Sequence, residues 1–472
     1  MADIFDISQK ILAEGPICDH CLGRQFAKLS TGLSNDERGK AVKLVLAMEG
    51  SRVFQESGDS SLLENLACCE SHAQKTLDAA EISNNDLSKS GKCWVCGDIF
   101  KKLEDWADMA IAKLSGIEYS TFLVGTKLSG LLSENEEILW EQCATAYAEQ
   151  LKSELNREIG KVISQKTQKE VAFSNPDVMI TFDIAKKDVE VDVRSVYIYG
   201  RYLKLVRGIP QTKWPCRKCG GRGCEHCGGT GKQYPESVGE LAGFSLLSSD
   251  YAEANDVVFH GAGREDIDAL MLGTGRPFVL EAKSPKKRKF DLAALEYEIN
   301  RSVAGKIEVH GLKFCSKNQV EKLKGEKAQK TYRLKIRFES PVSNENLSQA
   351  LLQLRGTEIN QDTPNRVLHR RADLCRNRTV HEAVLEQMGD KNDGFGDGIK
   401  NIEEKEDAGT ISRKIASESD VAYVRILCDG GLYVKELTSG DEGRTTPSIA
   451  GLLSVGAKVE ELDVIHVELD VE

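Results

Sequence analysis

Two kinds of side-chain cluster in this sequence have the types and spacing to do chemistry. The first is made of thiols. Cysteines at 216, 219, 224 and 227 fall in the pattern CxxCxxxxCxxC inside PCRKCGGRGCEHCGGTGK. Four soft thiolates in so short a stretch, separated by glycines that allow tight turns, suit a tetrahedral Zn²⁺. A closed Cys₄ shell leaves no open coordination position, so the expected role is structural. His226, inside the second CxxC, is a weaker substitute ligand. A second set pairs Cys18 and Cys21 of CDHC with Cys93 and Cys96 of CWVC. Each pair is half a site, and a zinc ion joining them would pin the ends of the N-terminal region together. Cys68 and Cys69 are adjacent, a poor geometry for one metal, and Cys143, Cys315, Cys375 and Cys428 read as packing residues.

The second cluster is made of carboxylates, in GREDIDALMLGTGRPF at 263–278. Asp266 and Asp268 are two apart, so on an extended segment they face the same way as Arg264. Spacing alone does not choose between them, and an Asp in a Gly-flanked turn also fits a structural role. The chain has no Walker A loop, no HExxH helix and no GxSxG elbow. Its few histidines sit in no metal or triad motif, which leaves carboxylate-centred chemistry.

The partner is suggested by local charge. The net charge of −11 argues against nucleic acid at first, but a phosphate backbone feels charges within a Debye length, about 8–10 Å. RYLKLVRGIPQTKWPCRKCGGR (201–222) carries seven Lys/Arg and no acid, KSPKKRK (283–289) five basic residues, and RVLHRRADLCRNR (366–378) five arginines and one Asp. Three such segments favour an anionic partner, and Trp214, Tyr202 and His369 add flat rings able to stack on bases.

These residues need elements to position them. A chain of 472 residues, 40% hydrophobic and 29% charged, implies a globular protein of two or three domains. It has no long apolar run and no signal-peptide core at its start, so no membrane is expected and the location reads as cytoplasmic. There, fourteen cysteines are better explained by metal than by disulfides. Residues 1–117 are helix-like. A β-like piece follows around 118–130. Ser133 and Glu136 then predict a capping box for one long helix, whose core stripe is Leu139, Cys143, Tyr147, Leu151, Leu155 and Ile159. VMITFDI, VEVDVRSVYIY and YLKLVR alternate as strands, making 118–210 one small α/β unit. The Cys-rich knot at 211–234 is a natural boundary. From 235 to 472, extended segments dominate, including DVVFHG, RPFVLEAK, KIEVHGLKF, KTYRLKIRFE, AYVRILCDGGLYVKEL and LDVIHVELDVE. With helical AALEYEINRSV and NENLSQALLQLRG between them, they predict an α+β domain around a mainly antiparallel mixed sheet. The acidic stretch 386–407 reads as an exposed insertion; its GFGDG follows no apolar strand and is a poor nucleotide loop.

The run GREDIDALMLGTGRPFVLEAK resembles the G-R-x-D motif of pseudouridine synthases. Together with CDHCLGRQF, KWPCRKCGGRGCEHCGGTGK, TPNRVLHRRADL and GLYVKELTSGDEGRTTPSIAGLL, it resembles the archaeal tRNA pseudouridine synthase family that modifies uridines 54 and 55 in the TΨC arm. These motifs span nearly the whole chain. The resemblance implies that Asp266 is the nucleophile, Tyr332 of KTYRLK stacks on the target base, and Lys435 pairs with the aspartate. Val434 falls where that family more often has Ile, and Tyr433 and Arg444 fall at the substrate. It also implies that 118–210 is THUMP-like, an RNA-binding module, with Arg201, Lys204 and Arg207 facing phosphates. Lys286, Lys287, Arg366, Arg370 and Arg371 are further RNA contacts, and Arg264 would hold displaced backbone by a bidentate contact.

The chemistry so implied breaks the N-glycosidic bond of uridine, rotates the base and joins C5 to the sugar. It needs no redox step and no phosphate energy, in keeping with the lack of organic-cofactor motifs. The base must leave its stack to be reached. tRNA is then the partner, structural Zn²⁺ the cofactor, and a monomer the expected state. A non-catalytic tRNA-binding THUMP protein is the alternative. A THUMP-bearing methyltransferase or thiolation enzyme would need a donor-binding Gly loop after a strand, which the sequence lacks.

Overall fold

β-Branched and aromatic residues alternate with polar ones through most of the second half of the chain, and this period of two produces the strands expected there. A computed structural model describes residues 3–82, 91–143, 146–303, 305–325, 328–389 and 418–469. They form two compact units, Met1–Arg194 and Ser195–Glu472.

The first unit begins with helices, as expected. The longest, Asn35–Ser57, starts at a capping box between Ser34 and Glu37 and ends at left-handed Gly58. A four-stranded sheet follows: β1 (Thr121–Lys127), β2 (Glu170–Val171), β3 (Val178–Asp183) and β4 (Asp188–Val193), in the order β2-β1-β3-β4. The single long helix predicted between β1 and β2 is two helices, Gly130–Cys143 and Leu151–Thr167. Ser133 and Glu136 do not cap the first. Glu136 instead accepts a hydrogen bond, 2.7 Å, from the backbone N–H of Leu151 and so caps the second. The break leaves Tyr147 exposed, while Leu139, Leu151, Leu155 and Ile159 are buried as the stripe required.

The second unit is built on a ten-stranded sheet. Its strands are β5 (Val196–Lys204), β6 (Asp256–Gly261), β7 (Leu270–Lys283), β8 (Ile307–Cys315), β9 (Lys330–Ser343), β10 (Thr357–Gln361), β11 (Arg376–Met388), β12 (Glu418–Cys428), β13 (Thr445–Thr446) and β14 (Ala457–Val467). The order is β13-β10-β11-β12-β9-β14-β7-β5-β8, with β6 also on β7. Among the described residues every pairing in it is antiparallel except β14 with β7. The mixed, mainly antiparallel α+β architecture is therefore as read from the sequence.

Two placements differ from that reading. β5 belongs to this sheet and not to the THUMP-like unit, because it pairs with β7 and β8 and buries Ile198 and Tyr202 in the second unit's core. The GLYVKEL segment is not an extended continuation of β12. The chain turns after Cys428, and Val434–Ser439 is a short helix ended by left-handed Gly440. Of the acidic stretch 386–407, residues 386–388 complete β11, and 390–407, with GFGDG, lie outside the described residues.

Candidate active site

The carboxylate motif sits in the connection between β6 and β7. Gly263 has φ +73°, a conformation glycine tolerates best, and Asp266 closes a turn through its carbonyl to the N–H of Ala269, 3.1 Å. The loop is fixed from behind by a buried polar network. Glu265 and Arg276, each with a side chain only 1% exposed, pair at 3.1 Å. The Tyr202 hydroxyl donates to Glu265, 2.7 Å, and the Gln211 amide donates to the Gly263 carbonyl, 3.0 Å. Lys204 Nζ donates to the carbonyls of Ile209 and Ile267, 3.0 and 2.9 Å. Buried polar groups require such partners; Arg276 Nε alone in this network has only the ion pair with Glu265 and no hydrogen bond.

In front of the loop the two aspartates meet cations brought from distant parts of the chain. Lys435 Nζ is 2.7 Å from Asp268 Oδ2 and 3.4 Å from Asp266 Oδ2. Arg366 Nη1 is 3.4 Å from Asp266 Oδ2, and its Nε is 2.6 Å from Oε1 of the buried Glu436. Burial opposes ionisation of Asp268, but the hydrogen bond and charge of Lys435 outweigh it and hold the carboxyl below its ordinary range. Burial likewise works against the charge of Arg366, and Glu436 and Asp266 more than restore it. Tyr332, reached from β9, is pushed well above the usual phenol range by burial. These groups open on a cavity of about 740 Å³, within the range of small-ligand sites.

The sequence-predicted site residues divide sharply. Asp266, Tyr332, Lys435, Tyr433, Val434 and Arg264 all line this one cavity. Arg366 and Arg371 line it too; Arg366 pairs with the aspartate and Arg371 donates to the Tyr433 hydroxyl, 2.9 Å. Arg264 stacks its guanidinium on Trp214, 4.8 Å from the ring centre. Arg444 is not on the cavity wall; it holds the Thr363 carbonyl, 3.2 Å, and pairs with Asp373, which pins the 363–373 segment. Lys204 is fully buried, so it cannot face a phosphate. Arg201 donates to the carbonyls of Thr274 and Val467, and Arg207 to those of Asp268 and Leu462. These residues therefore tie the ten-stranded sheet together, and belong to no THUMP surface. Lys286 and Lys287 bind Glu253 and the Ser249 carbonyl, away from the cavity wall. The side chain of Arg370 lies outside the described residues.

Sequence reasoning missed Glu436, Arg276, Glu265 and Lys330. Glu436 and Lys330 stand next to Lys435 and two before Tyr332, so helix adjacency and strand alternation carried a signal. Nothing local marks Arg276 as a partner of Glu265.

Both cysteine sets converge. In each, the four sulfurs lie within 4.8 Å of one another. Cys18 and Cys96 are 3.6 Å apart, and Cys219 and Cys227 3.9 Å. Tetrahedral thiolates on an ion at 2.3 Å would be separated by about 3.8 Å, so both sets fit a metal ion; His226 is in neither. Arg24, fully buried, donates to Cys21 Sγ at 3.1 Å, an outer contact of the kind that steadies ligands. A backbone bridge between Pro215 and Lys232 closes the second knuckle on itself. Cys375, expected in packing, is exposed.

Comparison with known proteins agrees with this arrangement. The family model "Pus10, C-terminal" matches residues 197–396 and 401–468, and "Pus10 THUMP domain, archaeal" matches 106–183, ending before β5. A protein named tRNA pseudouridine synthase Pus10 from Methanothrix thermoacetophila is 46% identical over 469 residues, 99% of this chain and 95% of that one. Its namesake from Halorubrum lacusprofundi is 39% identical over 474 residues, covering 99% and 96%. That from Pyrococcus furiosus is 34% identical over 469 residues, 99% of each. With a matched C-terminal region, a matched THUMP region and full-length relatives at these identities, the chain belongs to the Pus10 family of tRNA pseudouridine synthases, which are isomerases.

Proposed function

We propose that this protein isomerises uridine 54, uridine 55 or both in the TΨC arm of tRNA, with Asp266 as the nucleophilic carboxylate. The observation that carries the choice of Asp266 is its position between Lys435 and Arg366 at the wall of a cavity of about 740 Å³. A target nucleotide has to be turned out of the tRNA stack to enter such a space, at a cost of a few kcal/mol. Tyr332 offers its ring to the base as a stacking surface; a phenol held protonated by burial suits that role and not that of a base. Lys435 and Arg366, each 3.4 Å from Asp266 Oδ2, hold that carboxylate in place. Asp268 takes the shorter bond to Lys435 and serves to place that ammonium. Arg264, Arg371 and Tyr433 meet the RNA around the target nucleotide, and Val434 shapes the pocket wall.

Zn²⁺ fills both thiolate sets as a structural ion and takes no part in bond-making. No organic cofactor is required, the enzyme works as a monomer, and its place is the cytoplasm. The test is isomerisation of an unmodified tRNA transcript by metal-loaded protein with nothing else added. Turnover lost in Asp266→Asn with tRNA binding retained supports the reading. Undiminished turnover in that variant would sink it.

A further inference from the structure

Lys330, like Lys324, Arg376 and Arg378, is a cation on the cavity wall that the proposed mechanism does not use. It opens β9, two residues before Tyr332, so both side chains leave the same face of the sheet toward the cavity. Its ammonium lies beneath the nucleophile loop: a Cβ on Gly263 would stand 2.9 Å from Nζ, with Arg276 Nη1 3.5 Å from the same point. Among the described residues it has no hydrogen-bond partner and no carboxylate within ion-pair distance. Glu265, the nearest buried acid, is already committed to Arg276 and Tyr202. A half-buried ammonium set beside a guanidinium, with no anion of its own, is destabilising unless something else supplies the negative charge.

The reaction supplies one. When C1′–N1 breaks, the bonding pair leaves with uracil, and the negative charge spreads from N1 onto O2 and O4. C1′ is meanwhile held by the Asp266 carboxylate. C5 of the rotated base then bonds to C1′ as the Asp266–C1′ bond breaks and its pair returns to the carboxylate. The C5 hydrogen leaves to water as a proton while N1 takes one up. Resting on the isomerase reading above, we infer that Lys330 is a further catalytic residue, whose ammonium hydrogen-bonds the departing uracil anion at a carbonyl oxygen. Its proton stays on Nζ throughout. A fixed donor aimed where charge develops, in a site shielded from water, is worth about 10²–10³ in rate.

The groups facing Lys330 keep the test clean. Burial, with the charge of Arg276, pulls its ammonium down to about 8. Across the sheet, Cys428 is pushed up to about 12 by burial, and Tyr332 stands higher still. Arg276 remains charged, and Glu265, paired with it at 3.1 Å, acts to hold the Lys330 proton. The ammonium is required, so the single-turnover rate of the wild type should fall as pH rises through about 8. Lys330→Met should lower that rate at pH 7 by about 10²–10³-fold, leave tRNA affinity within about threefold, and lack the alkaline limb. Lys330→Arg should keep most of the rate and move the limb beyond pH 10. A Lys330→Met enzyme that isomerises at the wild-type rate overturns the inference. So does one that loses only affinity, with a shallower salt dependence, because that marks a phosphate contact. Should the variant misfold, a wild-type rate that stays level from pH 7 to 9.5 overturns it alone. Wild-type protein that forms no pseudouridine would bring down the isomerase reading first and this inference with it.

Discussion

Lys435 Nζ stands 3.4 Å from Asp266 Oδ2, while its shorter bond, 2.7 Å, goes to Asp268. One ammonium thus serves two carboxylates that their spacing in the sequence left equivalent. Only Asp266 also receives Arg366. Asp266→Asn should therefore reduce single-turnover pseudouridine formation by at least about 10³-fold with binding intact. Asp268→Asn, which only frees Lys435, should lose about tenfold. A reversed ranking would move the nucleophile to Asp268.

Arg366 links Asp266 to the buried Glu436 through different nitrogens of one guanidinium. A lysine cannot span both, so Arg366→Lys should lose about 10–100-fold in kcat/KM with little change in melting temperature. Rates within twofold of wild type would show that Lys435 suffices.

Glu265 and Arg276 form an ion pair closed to solvent. Glu265→Ala leaves a buried guanidinium and a buried tyrosine hydroxyl without their acceptor, and should cost about 3–5 kcal/mol in urea unfolding of the second unit. Double replacement of both charges should cost less than the single change, which a double-mutant cycle would read directly.

The Asp268 carboxyl lies below its ordinary value because Lys435 outweighs its burial. A folded value below the unfolded one contributes stability that is present above the ordinary carboxylate pKa, about 3.9. It is lost as pH falls through that range toward the folded value. Lys435→Met removes the effect, so its acid-unfolding midpoint should lie at higher pH than that of the wild type. Identical midpoints would mean that solvent screens the pair.

The two thiolate sets lie in different units, so metal should stabilise them separately. Native protein should carry about two zinc ions per chain. Cys93→Ser should lower the melting of the first unit, and Cys219→Ser that of the knuckle and its neighbours in the second, each by several kcal/mol. Elemental analysis and calorimetry of both variants check this, and metal near zero in native protein would refute it.

What could be read in the sequence followed from how local each signal is. The Cys216–Cys227 knuckle, each CxxC pair and the strand alternation depend on neighbours within a few residues, whereas the meeting of Cys18 and Cys21 with Cys93 and Cys96 is inferred only from each pair being half a site. β5 was misassigned because a strand's sheet is decided by partners such as Leu280 and Phe314, 82 and 116 positions from Ile198. Arg201, Lys204 and Arg207 resemble a phosphate-facing stripe, but their targets are backbone carbonyls of Ile209, of 266–275 and of the C-terminal segment, with the Glu461 and Asp463 carboxylates for Arg207. Arg366 read as an RNA contact for the same reason: its carboxylates, Asp266 and Glu436, are 100 and 70 residues away.

The stacking of Arg264 on Trp214 couples the second knuckle to the 263–269 loop optically. Trp214 is two residues from Cys216, and it is the only tryptophan in the second unit; the others are Trp94, Trp106 and Trp140. Trp94 lies between Cys93 and Cys96 of the first set. Each cysteine set thus carries its own indole fluorophore. With Trp94, Trp106 and Trp140 replaced by Phe, the emission of Trp214 should report a change at the knuckle and at the loop in one trace, with no label attached.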